Sequence, residues 1–482
     1  MIMDISPNDI PRTPNPRRRR RSKMQIFKEA YLPTLILAVT IVLIAVFIIG
    51  ALVKDPVSME ERPNTSTTNT PTHATTTQPK PDYTQPTLAP ELVREAAELL
   101  ALAQQQAADY DYDAALATLK QFSGNMEDFS ALANAYQEYT HIKNSMVTWN
   151  ASDVWNLSFH VLIADPERAF VDAEFGSSYR SNFVTVLEFT SILQQLYENG
   201  YVLVSLDDFY SQEFNASTGR YVFKESTLQL PAGKKPIMIT ETNANYYSYM
   251  VDSNGDGKPD AGADGFASRL CHDSTGFYNE LVNADGSVST GSFDVVPLLE
   301  DFIAAHPDFS YRGARATIAF SGYDGVLGYR INSTTLNATA LQQEREGAAA
   351  IMEALRAAGY NLACYTYGNY SYGDMTPTRV QQDIQNWLDQ IAPWVGAIDV
   401  LVFARDSDIA GTESYSGNAK FNVLYNAGFK YFMGVSSTAW NQVSDQYVRH
   451  DRFNITGANL LNNPGLYAHL FDASDVKDPA RG

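Results

Sequence analysis

Apolar and polar positions divide the 482-residue chain into regions of different period. Residues 30–53, AYLPTLILAVTIVLIAVFIIGALV, carry no charge and form a run long enough to cross a ~30 Å hydrocarbon layer as a helix. Residues 54–88 lose that character: RPNTSTTNTPTHATTTQPKPDYTQPT has too few apolar side chains to build a core, and predicts an extended, mobile stalk. Between 89 and 148 apolar positions return at spacings of three and four, at Leu92, Ala96, Leu99, Leu100 and Ala103 and again at Ala114, Leu116 and Leu119. That period predicts a small all-helical, hairpin-like module, with a third helix over 126–146. From 150 to 482 short apolar runs alternate with amphipathic stretches. Strands are expected at 154–162, 201–204, 236–240, 316–321, 362–365, 398–404 and 430–435. Between them lie helical stretches such as VTVLEFTSILQQLYENG, DVVPLLEDFIAAH, ALQQEREGAAAIMEALRAAG and VQQDIQNWLDQI. Strands alternating with helices imply a parallel sheet, most simply a closed or nearly closed (β/α) barrel. Sites in such barrels gather where the strands end at their C-terminal side.

Charge gives this order a direction. Arg17 to Arg21, Lys23 and Lys28 precede the apolar run, and the positive-inside rule keeps residues 1–29 in the cytoplasm as a basic tail. The body is then extracellular, tied to the cell membrane by one helix. A cleaved signal peptide is the alternative; it is disfavoured because the run exceeds an h-region and no A-x-A site follows. Beyond residue 54 the chain has 26 Lys and Arg against 52 Asp and Glu, a balance that excludes a nucleic-acid partner. The two cysteines, Cys271 and Cys364, show no metal-chelating spacing, and either a disulfide or two separate thiols fits. In the helical module ADYDYDAALATLKQF resembles the second half of a tetratricopeptide-like hairpin, but one pair of helices is too few for a repeat array. The module reads as a spacer or a docking element for a protein partner, against the plainer reading of a packing unit with no ligand.

Several segments together resemble the polysaccharide deacetylase family, the NodB-homology domain. They are NLSFHVLIADPERAF, VTVLEFTSILQQLYENGYVLVSLDDFY, KKPIMIT, DVVPLLEDFIAAHPDFSYRGARATIAFSGYDGVLGYR, RAAGYNLACYTYGN and NAGFKYFMGVSS. The resemblance spans most of residues 150–440. It implies a distorted (β/α) barrel and metal-dependent removal of acetyl groups from carbohydrate, a hydrolysis of non-peptide C–N bonds. The family's first motif has the form T-F-D-D, its first Asp a general base on metal-bound water and its second a metal ligand. Two His from an H-S/T-x-x-H motif complete the metal site. A zinc-class ion needs such neutral imidazoles with a carboxylate, and it lowers the pKa of the bound water.

On this sequence the base falls on Thr242, the metal-binding Asp on Asn243, and the two His on Tyr365 and Asn369. Thr240, Thr366, Tyr367 and Gly368 keep the frame of the motifs. A Thr hydroxyl is no base near neutral pH, an amide oxygen is a weaker ligand than a carboxylate, and a phenol ionises only at ~10. The strand end VLVFARDSD carries Arg405, Asp406 and Ser407 where the family has Pro and Gly.

Other residues could supply chemistry at this end of the barrel. His160, Tyr367 and Asp406 are candidate cleft residues, although a lone His is more often structural and Asp406 next to Arg405 reads as a loop ion pair. Glu241 alternates away from Thr240 and Thr242 and is expected to point outside the pocket. Tyr246, Tyr247, Tyr249, Tyr365, Tyr367, Tyr370 and Tyr372 fall in two flanking loops, where their faces would suit sugar rings or simply fill a core. In VDSNGDGKPDAGAD, Asp252, Asn254, Asp256 and Asp260 have the spacing of an oxygen-ligand calcium loop. Position twelve is Ala263, so an ordinary Asp/Gly turn fits equally.

The expectation is a membrane-anchored extracellular pseudo-deacetylase with no ion at the family's zinc site. It would bind cell-envelope polysaccharide or peptidoglycan, or a partner, without hydrolysing it, with calcium as the one cofactor in view. Two alternatives stand beside it. One is an active metal-dependent deacetylase using relocated residues; the other is a scaffold that docks a partner through the helical module.

Overall fold

A computed structural model describes residues 89–172, 174–251, 264–283 and 285–481. The expected basic tail, membrane span and stalk lie outside the described residues, as does the Asp252, Asn254, Asp256, Asp260 loop. Among the described residues no helix is long and apolar enough to cross a membrane. Residues 85–482 form one compact unit, and its described part is mixed α/β.

The 89–148 segment folds as three helices: α1 (Pro90–Ala108), α2 (Tyr112–Leu119) and α3 (Ser130–Asn144). Pro90 opens α1 where its missing N–H costs nothing, and the Asp111 carboxylate caps α2 by accepting from the Ala114 amide. Their apolar stripe, with Ala103, Tyr110, Leu119, Leu132 and Tyr139, is buried in one cluster with Leu228, Leu230 and Tyr311 of the sheet-bearing region. The Tyr110 hydroxyl donates to the Asp308 carbonyl, and its ring stacks on Tyr311 at 5.9 Å. Because residues 228–230 and 311 lead into sheet strands, the helices seal the end from which those strands start.

The sheet strands are β1 (Trp155–His160), β2 (Tyr201–Leu203), β3 (Lys235–Thr242), β4 (Thr317–Phe320), β5 (Asn361–Cys364), β6 (Val400–Val402), β7 (Tyr431–Met433), β8 (Asn441–Val443), β9 (Val448–His450) and β10 (Phe453–Asn454). All seven strands predicted from the pattern are present. The sheet runs β8-β9-β7-β6-β5-β4-β3-β1-β10, with β2 also pairing β3, and every pair is parallel except β8 with β9. It curls until its flanks meet on one kinked segment: 448–450 pairs β7, Arg452 bridges Val435, and 453–454 pairs β1.

Alternation along the strands separates two faces. Phe159, Ile239, Phe320, Cys364, Leu401 and Phe432 point outward. There they pack under the helices α4 (Val186–Glu198), α5 (Val295–Ala305), α6 (Ala338–Ala358), α7 (Pro377–Gln390) and α8 (Ala419–Asn426). The inward face carries Met238, Ala319, Ala363, Val402 and Met433 together with the buried polar residues Asn156, Ser158, Thr240 and Thr242. Thr240 donates to Asn156 Oδ1 at 2.8 Å, so the polar interior is internally bonded. Cys364 is buried on β5 and Cys271 is half-buried on a separate antiparallel hairpin; both are free thiols.

His450, on the closing segment, donates from Nε2 to the Val154 carbonyl at 3.1 Å and accepts at Nδ1 from the Tyr210 hydroxyl at 2.9 Å. Burial holds its pKa down to about 4 from 6.5. A depressed His pKa means that the unfolded chain binds the extra proton first. The contribution is therefore complete above pH ~6.5 and is lost as pH falls towards ~4, by about 3 kcal/mol. Urea unfolding of wild type and His450→Gln across this window should show that excess slope only in the wild type; parallel slopes would refute it.

Candidate functional site

Strands β3, β5 and β6 each run out into a left-handed backbone without a glycine. Asn243 has φ 61°, Thr366 φ 60°, Arg405 φ 54° and Asp406 φ 55°. Such conformations cost about 1–3 kcal/mol for ordinary residues, most for a β-branched one such as Thr366, and persist only where the surroundings over-determine them. Their gathering at the C-terminal ends of strands on either side of β4 marks the mouth of the curled sheet as the candidate site.

Register places its first pair. His160 lies directly opposite Thr242 in the β1–β3 ladder, and their side chains meet with Nδ1 2.9 Å from Oγ1. The Thr242 hydroxyl also lies 3.0 Å from the Phe159 carbonyl, which can only accept. Its single proton goes there, so His160 Nδ1 carries a proton and donates to Thr242. Nε2 is left with its lone pair and has no partner among the described residues. Burial, the largest effect, and the nearby Arg452 charge push the His160 pKa down, so the ring is neutral.

Arg452 is the residue that sequence reasoning missed. It is 1% exposed on the inward face and donates to Ser158 Oγ at 3.0 Å and to the Phe403 carbonyl at 3.1 Å, while its Nε has no partner. Asp406 stands 3.6 Å from the guanidinium and accepts from Asn454 Nδ2 at 2.9 Å. The expected Arg405–Asp406 loop pair is therefore corrected. The left-handed turn throws the two side chains apart, and Arg405 donates instead to the Asn369 carbonyl at 2.9 Å. The charges of Arg452 and Asp406 act on both His160 and Tyr365, which assembles these four residues at the mouth.

The remaining positions are held elsewhere. Asn243 accepts at Oδ1 from the Tyr247 hydroxyl. Tyr365 is 3% exposed, and burial raises its pKa further from the ionised state that a metal would need. The Tyr367 amide and the Gly368 amide both donate to Asp383 on α7, at 2.9 and 3.0 Å, and Tyr372 donates to the same carboxylate at 2.7 Å. Asp383 thus sets the loop after β5. It could have been found from sequence, being an acid on the same helical stripe as Val380, Ile384 and Trp387. The Tyr367 ring turns away from His160 and Asp406: its hydroxyl donates to Gln390 at 2.7 Å and its ring lies against Gly322. Of the seven loop tyrosines, Tyr246, Tyr247, Tyr365 and Tyr372 are core residues, whereas the exposed Tyr323 was not among those singled out.

Glu241 points to the opposite face, as alternation requires. It is buried against Asp294, and burial with that neighbouring charge raises it well above the usual carboxylate range. Asp294, raised to about 6 by burial, accepts from the Leu162 and Val295 amides and so ties the exit of β1 to the start of α5.

The residues at the mouth do not fit a divalent metal ion. Thr242 and Asn243 are bonded internally, a guanidinium stands beside the imidazole, and among the described residues no three His, Cys, Asp or Glu side chains converge.

No protein-family model matches the sequence, and neither does any curated protein. Among solved structures the chain is similar to the Streptococcus pyogenes deacetylase PplD, in complex with acetate. The identity is 8%, with 66% of this chain and 97% of that chain covered and a TM-score of 0.32. It is also similar to a de-N-acetylase from Aggregatibacter actinomycetemcomitans, at 12% identity over 66% of this chain and 99% of that one, with a TM-score of 0.36.

Proposed function

We propose that residues 150–482 are a barrel of the polysaccharide deacetylase type that binds cell-envelope polysaccharide or peptidoglycan without hydrolysing it. The 30–53 span and the 54–88 stalk hold it outside the cell. One observation carries the reading: the position of the family's base is a Thr hydroxyl bonded to the Phe159 carbonyl and to His160, and the charge of the buried Arg452 acts on that imidazole. A hydroxyl so placed removes no proton from water, and a fixed cation opposes a second positive charge in the same space. The full chain in detergent, given acetylated chitooligosaccharide or peptidoglycan, should retain the glycan and release no acetate, with or without added zinc. Zinc-dependent acetate release would overturn the reading.

A working hydrolase with relocated groups is the second reading, favoured by the neutral His160 whose Nε2 lone pair is unengaged. Acetate release that His160→Ala or Asp406→Ala abolishes would establish it.

A further inference from the structure

Beside the mouth, the loop after β4 and the loop after β5 enclose a groove of about 430 Å³, within the range of small-molecule sites. We infer that this groove, and not the His160–Arg452 cluster, is the saccharide subsite, and that it takes an uncharged sugar. The inference rests on the glycan-binding reading and gives it a place and a ligand class.

Two tyrosines supply faces. Tyr323 is 58% exposed, and the buried Tyr247 stands edge-on behind it at 5.7 Å, itself stacked on Tyr249 at 5.5 Å. Tyr367 is fixed on its other side: a Cβ at residue 322 would come within 2.2 Å of the ring, so only Gly322 lets it lie there. Rings held in this way offer apolar area to the C–H face of a sugar at small entropic cost.

The polar groups match hydroxyls and not charge. Arg330 is engaged by the Asp324 carbonyl at 2.6 Å, by the Tyr246 carbonyl and by the Asp324 carboxylate at 3.6 Å. The groove's cation and anion therefore cancel. Asn332 donates to the Gly322 carbonyl at 2.8 Å, which leaves Oδ1 as an acceptor, and the Thr334 hydroxyl has no partner among the described residues. An amide oxygen and a hydroxyl beside aromatic faces are what a neutral hexose can satisfy, whereas an acidic ligand finds no unpaired cation.

The rim is preorganised. Asp324 and Leu327 are left-handed, with φ 60° and 50°, and the buried Asn245 amide holds the turn by donating to the Ser321, Tyr323 and Gly325 carbonyls. Strain so braced keeps Tyr323 in place before any ligand arrives.

Calorimetry on the full chain in detergent, with N-acetylchitotriose as the neutral probe and a tri-uronate as the acidic one, tests this. Wild type should bind the neutral trimer and not the uronate. Tyr323→Ala should weaken binding roughly tenfold, through lost stacking, and Tyr323→Phe should retain it. Tyr221→Ala, at a still more exposed tyrosine on the 210–225 hairpin, is the control and should bind as wild type. Trimer binding unchanged in Tyr323→Ala but lost in Tyr365→Phe would move the site to the mouth and overturn the groove while keeping the glycan reading. Binding of neither probe by wild type would overturn both.

Discussion

Glu188→Ala should lower the stability of the folded domain by about 3–5 kcal/mol, the cost of leaving one partner of a buried ion pair alone. Glu188 sits in the first turn of α4, and both its side chain and that of Arg481 are fully buried. Every carboxylate lone pair has a use. One oxygen accepts from Arg481 Nε and the Asp478 amide, and the other accepts from Arg481 Nη2 at 2.7 Å and the Thr185 amide at 2.8 Å. Alanine strands the guanidinium among the Arg180 and Phe183 carbonyls, which accept one hydrogen from Nη1 and one from Nη2 but leave the Nε–H, the second Nη2–H and the charge without the partner they had in Glu188. A lower urea midpoint at unchanged slope is the expected readout. The double variant Glu188→Leu, Arg481→Met should recover most of the loss, since apolar replacements of a buried pair are often neutral. A loss under about 1 kcal/mol in the single variant would show that the pair is solvated.

Asn245→Ala should be the next most damaging change. Its side chain is completely buried; Oδ1 accepts from the Ser321 amide at 2.9 Å while Nδ2 serves three carbonyls of the same turn. Each group left unsatisfied costs about 1–3 kcal/mol, and the stranded Ser321 N–H is the least able to find another partner. Hydrogen exchange should accelerate in 321–328 before the rest of the domain unfolds. Saccharide affinity should fall with it, because the turn no longer holds Tyr323 against Tyr247. Exchange unchanged in that turn would assign its rigidity to Arg330 instead.

The positions of the strands were readable because buried parallel strands leave short apolar runs, and Ile237 to Ile239 and Leu401 to Phe403 are such runs. The hairpin at 210–225 was not readable. Phe214 and Tyr221 face solvent, so its pattern lacks the buried alternation that announces a strand. The face on which Glu241 lies followed from period two alone. Arg452 was hidden for the opposite reason: in HDRFN it looks like a surface residue, and only the closing of the sheet buries it. The same limit applies to the tyrosines. Spacing put seven in two loops, but which rings turn inward depends on neighbours on other elements, such as Gly322 after β4 and Asp383 on α7.

The kinked segment at 448–454 bears on how this chain acquires its shape during synthesis. Phe453 pairs with Leu157 and Asn454 with Ser158, so β1 waits for one of its two partners until most of the protein has been translated. Pairing over such separations is slow, and unpaired strand edges invite association with other chains. Until residues near Phe453 emerge, the nascent domain exposes the outer edge of β1 and an interior with no guanidinium to fill it. A chaperone that covers β1 would have its longest task here, and release would coincide with the arrival of Arg452.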